Sequence, residues 1–255
     1  MPRDPNLPPA EDDEFFVGYF PTPAPLARFA LGVAFVVLLA GGGVAFAAAY
    51  LQRPPGEAHE REAQLEGLVV AEPYGMVRYL DGERVRHVLL VRGGKRGAPR
   101  RDVERLADRA ATVSGLLLER EGRQLLELHA GMREAELDEA TVARLRDVPR
   151  EELGEVTIEG EIVDSKCYLG RMRPGGGRTH RACAQLCIAG NIPPLLVARD
   201  ASGRAAHYLL ASTQNRSIAT EVLPYVAEPV RVTGRLTRVS DLLVLRVDPS
   251  AIERL

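Results

Sequence analysis

The sequence predicts a mainly β protein: a single N-terminal transmembrane helix followed by two tandem five-stranded barrels, the second carrying a helical insertion with cysteines and a histidine. Three observations carry this expectation. Phe29 to Gln52 is an apolar run of 24 residues without a charge, residues 64–130 recur in degenerate form as 153–255, and all three cysteines lie between Cys167 and Cys187.

Residues 1–25 hold Pro2, Pro5, Pro8 and Pro9 and the acidic run Glu11-Asp12-Asp13-Glu14, too polar to fold alone, so a disordered tail is expected. Phe15 to Phe20 (FFVGYF) is the exception, its aromatics suiting a bilayer headgroup zone or a partner subunit. A spanning helix needs about 20 apolar residues, which places it at 26–52. Ala45-Phe46-Ala47 offers a small-x-small cleavage site, but the leading segment is long and acidic where a signal peptide is short and basic. An uncleaved anchor is therefore expected. Arg3 and Arg28 before the helix balance Arg53 and Arg61 after it, so charge bias does not set its orientation. Gly41-Gly42-Gly43 permits close approach of another helix and equally fits small-residue filler. Arg53-Pro54-Pro55-Gly56 then ends the helix and opens a charged linker, 53–63.

The repeat is read from three matches. Leu65-Glu66-Gly67 recurs as Ile158-Glu159-Gly160 at an offset of 93, Arg86 to Leu89 parallels Ala206 to Leu209 at 120, and Thr112 to Leu117 parallels Arg231 to Leu236 at 119. Each copy reads as strand, hairpin, short helix and two strands, with turn signals at Asp81-Gly82 and Asp200 to Gly203. The expected helices are Arg101 to Ala107 and Arg216 to Tyr225, and a helical linker around Asp138 to Leu145 fills 131–152. Five strands with one helix before the fourth resemble the OB-fold. The jump in offset assigns about 27 extra residues to the second copy, between Asp164 and Ile192. That insertion, 165–191, is something a barrel can do without.

Within the insertion, Thr179 is the expected N-cap of a helix from His180 to Ala189, stopped by Gly190-Asn191 and Pro193-Pro194. His180, Cys183 and Cys187 then share one helical stripe about 60° wide. Cys167 is a candidate fourth donor, because Gly175-Gly176-Gly177 lets the chain fold back. Cys3His is a standard zinc set, although this spacing is not that of a standard finger. Copper(I) also accepts thiolates, with Met172 as an optional thioether. A disulfide from Cys167 to Cys183 or Cys187, with one spectator thiol, and a redox-active thiol both remain open.

Charge bears on the choice. Ser165 to Arg199 contains no acidic residue, and Arg171, Arg173, Arg178 and Arg181 form a candidate anion-binding group there with the glycine loop. A cationic surround also favours thiolate over thiol. His87 and His207 occupy equivalent repeat positions, which suggests scaffold chemistry, and no role is assigned to them or to His59 and His129.

Val163 to Gly170 (VDSKCYLG) followed by Thr179 to Pro194 (THRACAQLCIAGNIPP) resembles a pattern in uncharacterised bacterial exported proteins, V-D-x-x-C then H-x-x-C-A-x-x-C and a glycine-proline step into a strand. The resemblance covers about 35 residues. It implies an exported location and a joint role for Cys167, His180, Cys183 and Cys187. The leading expectation is a membrane-anchored periplasmic protein of a bacterial inner membrane, whose insertion binds zinc or copper or passes thiol or electron equivalents beside a respiratory or cofactor-assembly complex. The competing one is a non-catalytic binding module with a disulfide-stapled docking loop. A thiol enzyme with Cys183 or Cys187 as nucleophile and Asp164 or His180 as base finds no C-x-x-C pair or other catalytic motif to support it. Nucleic acid is not an expected partner: net charge is -2, and past the anchor there is no Phe or Trp to stack on bases.

Overall fold

A computed structural model describes residues 24–51 and 58–255. The acidic tail with its FFVGYF segment and the Arg53-Pro54-Pro55-Gly56 break lie outside the described residues. Helix α1 (Ala24–Leu51) begins two residues before its expected start at 26 and is long and apolar enough to cross a membrane. Residues 58–255 form a compact unit of their own.

In the first barrel, β1 (Ala58–Val70), β2 (Met76–Asp81) and β3 (Arg84–Arg92) form an antiparallel meander. A two-residue strand β4 (Arg96–Gly97) and helix α2 (Arg100–Leu106) lead to β5 (Ala110–Arg120) and β6 (Arg123–Leu128). Strand β6 pairs parallel to β3, and β5 closes the barrel onto β1. After a short β7 (Arg133–Glu134), Asp138 caps α3 (Glu139–Arg146) by accepting the Thr141 N–H at 2.9 Å. The second barrel repeats the pattern with β8 (Arg150–Asp164), β9 (Pro194–Arg199), β10 (Ala205–Ser212), β11 (Pro229–Val239) and β12 (Leu242–Arg254); β10 and β12 are its parallel pair, and β11 closes onto β8.

The strands start earlier than the hydrophobic pattern predicts, at 58 rather than 64 and at 150 rather than 153. Ala58 to Gln64 pairs with β5 through its backbone while its side chains are mostly exposed, so no apolar alternation marks it. The helix expected over 216–225 is shorter, a single turn α5 (Ala219–Val222) followed by a 3-10 turn, Leu223–Tyr225 with Pro224 inside it.

Why Val88-Leu89-Leu90-Val91 is continuously apolar follows from the packing. Val88 and Leu90 fill the first barrel, whereas Leu89 and Val91 join a core shared with the second. Leu195 and Leu209 answer from the other side, while Leu196 and Leu210 fill their own barrel. A strand buried on both faces loses its polar alternation. The seam between the barrels is therefore a hydrophobic core in its own right, and Cys167, Tyr168, Leu169 and Cys187 of the insertion belong to it.

Two histidines polarise this seam. His87 Nε2 accepts from Arg78 Nε at 2.9 Å, which leaves its proton on Nδ1, 2.7 Å from Asp241 Oδ1 in the β11–β12 turn of the other barrel. Its repeat counterpart His207 lies 3.3 Å from Glu121 Oε2, in the β5–β6 turn of the first barrel. Each barrel thus presents a carboxylate from the same turn to the other's histidine. The equivalence of His87 and His207 reflects docking of the repeats.

Candidate metal centre at the seam between the barrels

Strand β8 ends at Asp164, and the chain leaves the barrel through a π-type turn at Cys167–Arg171 that carries Cys167. It returns along a 3-10 turn (Arg178–His180) and helix α4 (Arg181–Ala189), which carries Cys183 and Cys187. Thr179 is therefore not the N-cap; it lies within the 3-10 turn, and His180 stands at the helix boundary without a side-chain capping bond. The rewinding turns His180 inward, where it is buried. Gly175 packs against the Cys167 carbonyl so closely that a Cβ would collide with it, which is how the glycine triplet lets the chain fold back.

The donor atoms converge. One from each of Cys167, His180 and Cys183 lie within 4.8 Å of one another, as do those of Asp164, Cys167 and Cys187. The two triads share Cys167, and all three cysteines are free of disulfide bonds. Asp164, fully buried, accepts the Cys167 N–H at 2.8 Å on Oδ1 and sits 3.1 Å from His180 Nε2 through Oδ2. A carboxylate beside one ring nitrogen is the arrangement in which an acid orients a ligating imidazole.

Proton sharing sets the charge of the sulfurs. The Cys167 thiol donates to Cys187, so Cys167 is pushed far up while Cys187 is held down at about 7 by that hydrogen bond and, more weakly, by Lys95 and Cys183. Near neutral pH Cys187 is therefore partly ionised while Cys167 keeps its proton.

Sequence reasoning missed the source of the neighbouring cation. Lys95, in the β3–β4 turn of the first barrel, places Nζ 2.7 Å from Cys183 Sγ and 3.8 Å from Cys187 Sγ. That turn is held from the second barrel: Lys166 Nζ donates to the carbonyls of Arg92 (2.9 Å) and Gly94 (2.8 Å) and pairs with Glu127 at 3.0 Å. Gly97 N donates to Gly190 O at 2.8 Å, and a Cβ on Gly190 would run into the Lys95 carbonyl. No local motif could reveal this, because Lys95 and Cys183 are 88 positions apart and meet only through the docking.

The four arginines expected to receive an anion differ in their surroundings. Arg171 pairs with Glu127 at 3.0 Å and approaches Glu60 at 3.8 Å; Arg181 pairs with Glu228. Arg173 and Arg178 are exposed. The acids absent from the insertion are thus supplied by the two barrels around it.

No family model matches the chain, and no curated protein matches it. Among solved structures it is similar to the tetrameric p202 HIN2 at 8% identity, over 80% of this chain and 96% of that one, with a TM-score of 0.21, too low to carry an argument.

Proposed function

We propose that this is a membrane-anchored extracytoplasmic protein that holds a thiophilic metal ion, zinc or copper(I), between its two barrels through Cys167, His180, Cys183 and Cys187. The observation that carries the reading is the convergence of Cys167, His180 and Cys183 within 4.8 Å, with Asp164 behind the imidazole. Thiolates and imidazole are the donor set of such ions. Three thiolates around a divalent ion leave net negative charge, which the Lys95 ammonium beside Cys183 balances. The apolar helix α1 supports the anchor, and the likeness of VDSKCYLG and THRACAQLCIAGNIPP to bacterial exported proteins supports a periplasmic face of the inner membrane. A protein of this kind serves a respiratory or cofactor-assembly complex as an accessory.

The lowered Cys187 thiol, hydrogen-bonded by Cys167, supports a second reading, in which the cluster passes thiol or electron equivalents. Metal analysis of the full chain, purified in detergent under reducing conditions, separates the two. The metal reading expects one ion per chain, lost when Cys167, Cys183 or Cys187 becomes Ser, with all three thiols protected from alkylation until a chelator is added. Full thiol reactivity with no bound ion would leave the thiol-transfer reading.

A further inference from the structure

On the seam, but outside the thiol cluster, a cavity of about 670 Å³ opens where the β1–β2 loop, β4 and the start of α2 face residues 190–191 and 216–217 of the second barrel. Four arginines line it, Arg100 among them; the other three are Arg92 and Arg96 from the first barrel and Arg216 from the second. None of the three forms an ion pair among the described residues. Arg100 is matched by Glu104 at 2.6 Å and also feels Glu72, so the two carboxylates of the wall answer four arginines. The remaining wall is partly apolar, with Leu90 and Val103.

The wall is held in place across the seam. Ile218 N donates to Tyr74 Oη at 3.0 Å, and Ser217 Oγ donates to Asn191 Oδ1 at 2.9 Å. With the Gly97–Gly190 backbone bond, these contacts keep Arg96 and Arg216 facing one space although they belong to different barrels. Arg92, Arg96 and Arg216 are solvent-exposed, so their mutual repulsion is screened in the free protein; together they give the cleft net positive charge, and the planar guanidinium fork matches phosphate oxygens in particular.

We infer that this inter-barrel cleft binds a phosphate-bearing ligand through Arg92, Arg96 and Arg216. The shared chemistry is a phosphoryl group with a small body against Leu90 and Val103; its source is a soluble phosphate compound or a lipid headgroup. The inference does not use the metal site and stands or falls apart from it.

The test is calorimetric titration of pyrophosphate into the full chain in nanodiscs of pure phosphatidylcholine. Saturable binding is expected, weakened about tenfold by Arg96→Met and by Arg216→Met, and unchanged by Arg173→Met or Arg178→Met, at equally exposed arginines away from the cleft. A second arm replaces part of the lipid with phosphatidylglycerol. Loss of pyrophosphate binding there assigns the site to a lipid headgroup, and persistence assigns it to a soluble phosphate compound. No saturable heat at millimolar pyrophosphate, or equal losses from the cleft and control substitutions, overturns the inference.

Discussion

Lys95 and Cys183 belong to different barrels, yet the lysine ammonium lies 2.7 Å from the cysteine sulfur. Docking of the repeats therefore completes the electrostatics of the site. The same ammonium lies 3.8 Å from Cys187 Sγ and helps the Cys167 hydrogen bond lower that thiol to about 7, so Lys95→Met is expected to raise the Cys187 midpoint and slow its iodoacetamide labelling at neutral pH roughly three- to tenfold. Lys95→Arg should restore most of the rate. Labelling indifferent to the charge at position 95 would remove the lysine from the site.

Gly190→Ala tests the same relationship without touching Lys95. The added methyl meets the Lys95 carbonyl, which is backbone and cannot swing aside. Overpacking of this kind costs about 1 to 3 kcal/mol. The variant should melt earlier and label as slowly as Lys95→Met. A lower melting temperature with unchanged labelling would mean that the turn moves without carrying the ammonium off the sulfurs.

Asp164 is expected to act through His180 and the Cys167 backbone, by its contacts at 3.1 and 2.8 Å. Loss of such an orienting acid commonly weakens metal binding about ten- to a hundredfold. Asp164→Asn keeps the shape and an acceptor oxygen, so metal affinity, measured by chelator competition, should fall in that range with little change in melting temperature. Affinity equal to wild type would make Asp164 a folding residue only.

The first-barrel topology and the position of the insertion have sources in the sequence: a repeat and an offset jump. The three cysteines and His180 were legible for the same reason, since periodicity and a glycine loop are local. Lys95 and the roles of Asp164 and Lys166 were not, because each depends on which faces of the barrels meet. The partners of the arginines in the insertion were not legible either. Their local sequence lacks acids, but Glu127 and Glu228 arrive from distant strands and turns.

The seam histidines make stability depend on pH. An unfolded histidine titrates near about 6.5, whereas burial lowers His207 to about 4 and shifts His87 in the same direction. The unfolded chain then takes up protons that the fold refuses, so this stability is complete above pH about 6.5 and is lost as pH falls toward 4. The melting temperature should be lower near pH 5 than near pH 7.5, and His207→Gln should flatten the difference. A melting temperature that holds or rises on acidification would contradict neutral histidines at the seam.

The most direct test of the metal site is X-ray absorption of the full chain loaded with zinc. A first shell of three sulfurs at about 2.3 Å and one nitrogen at about 2.0 Å is the expected result, with sulfur lost in Cys→Ser variants and nitrogen lost in His180→Ala. A shell of oxygen alone, or one unchanged by those substitutions, would contradict a metal centre built from Cys167, His180, Cys183 and Cys187.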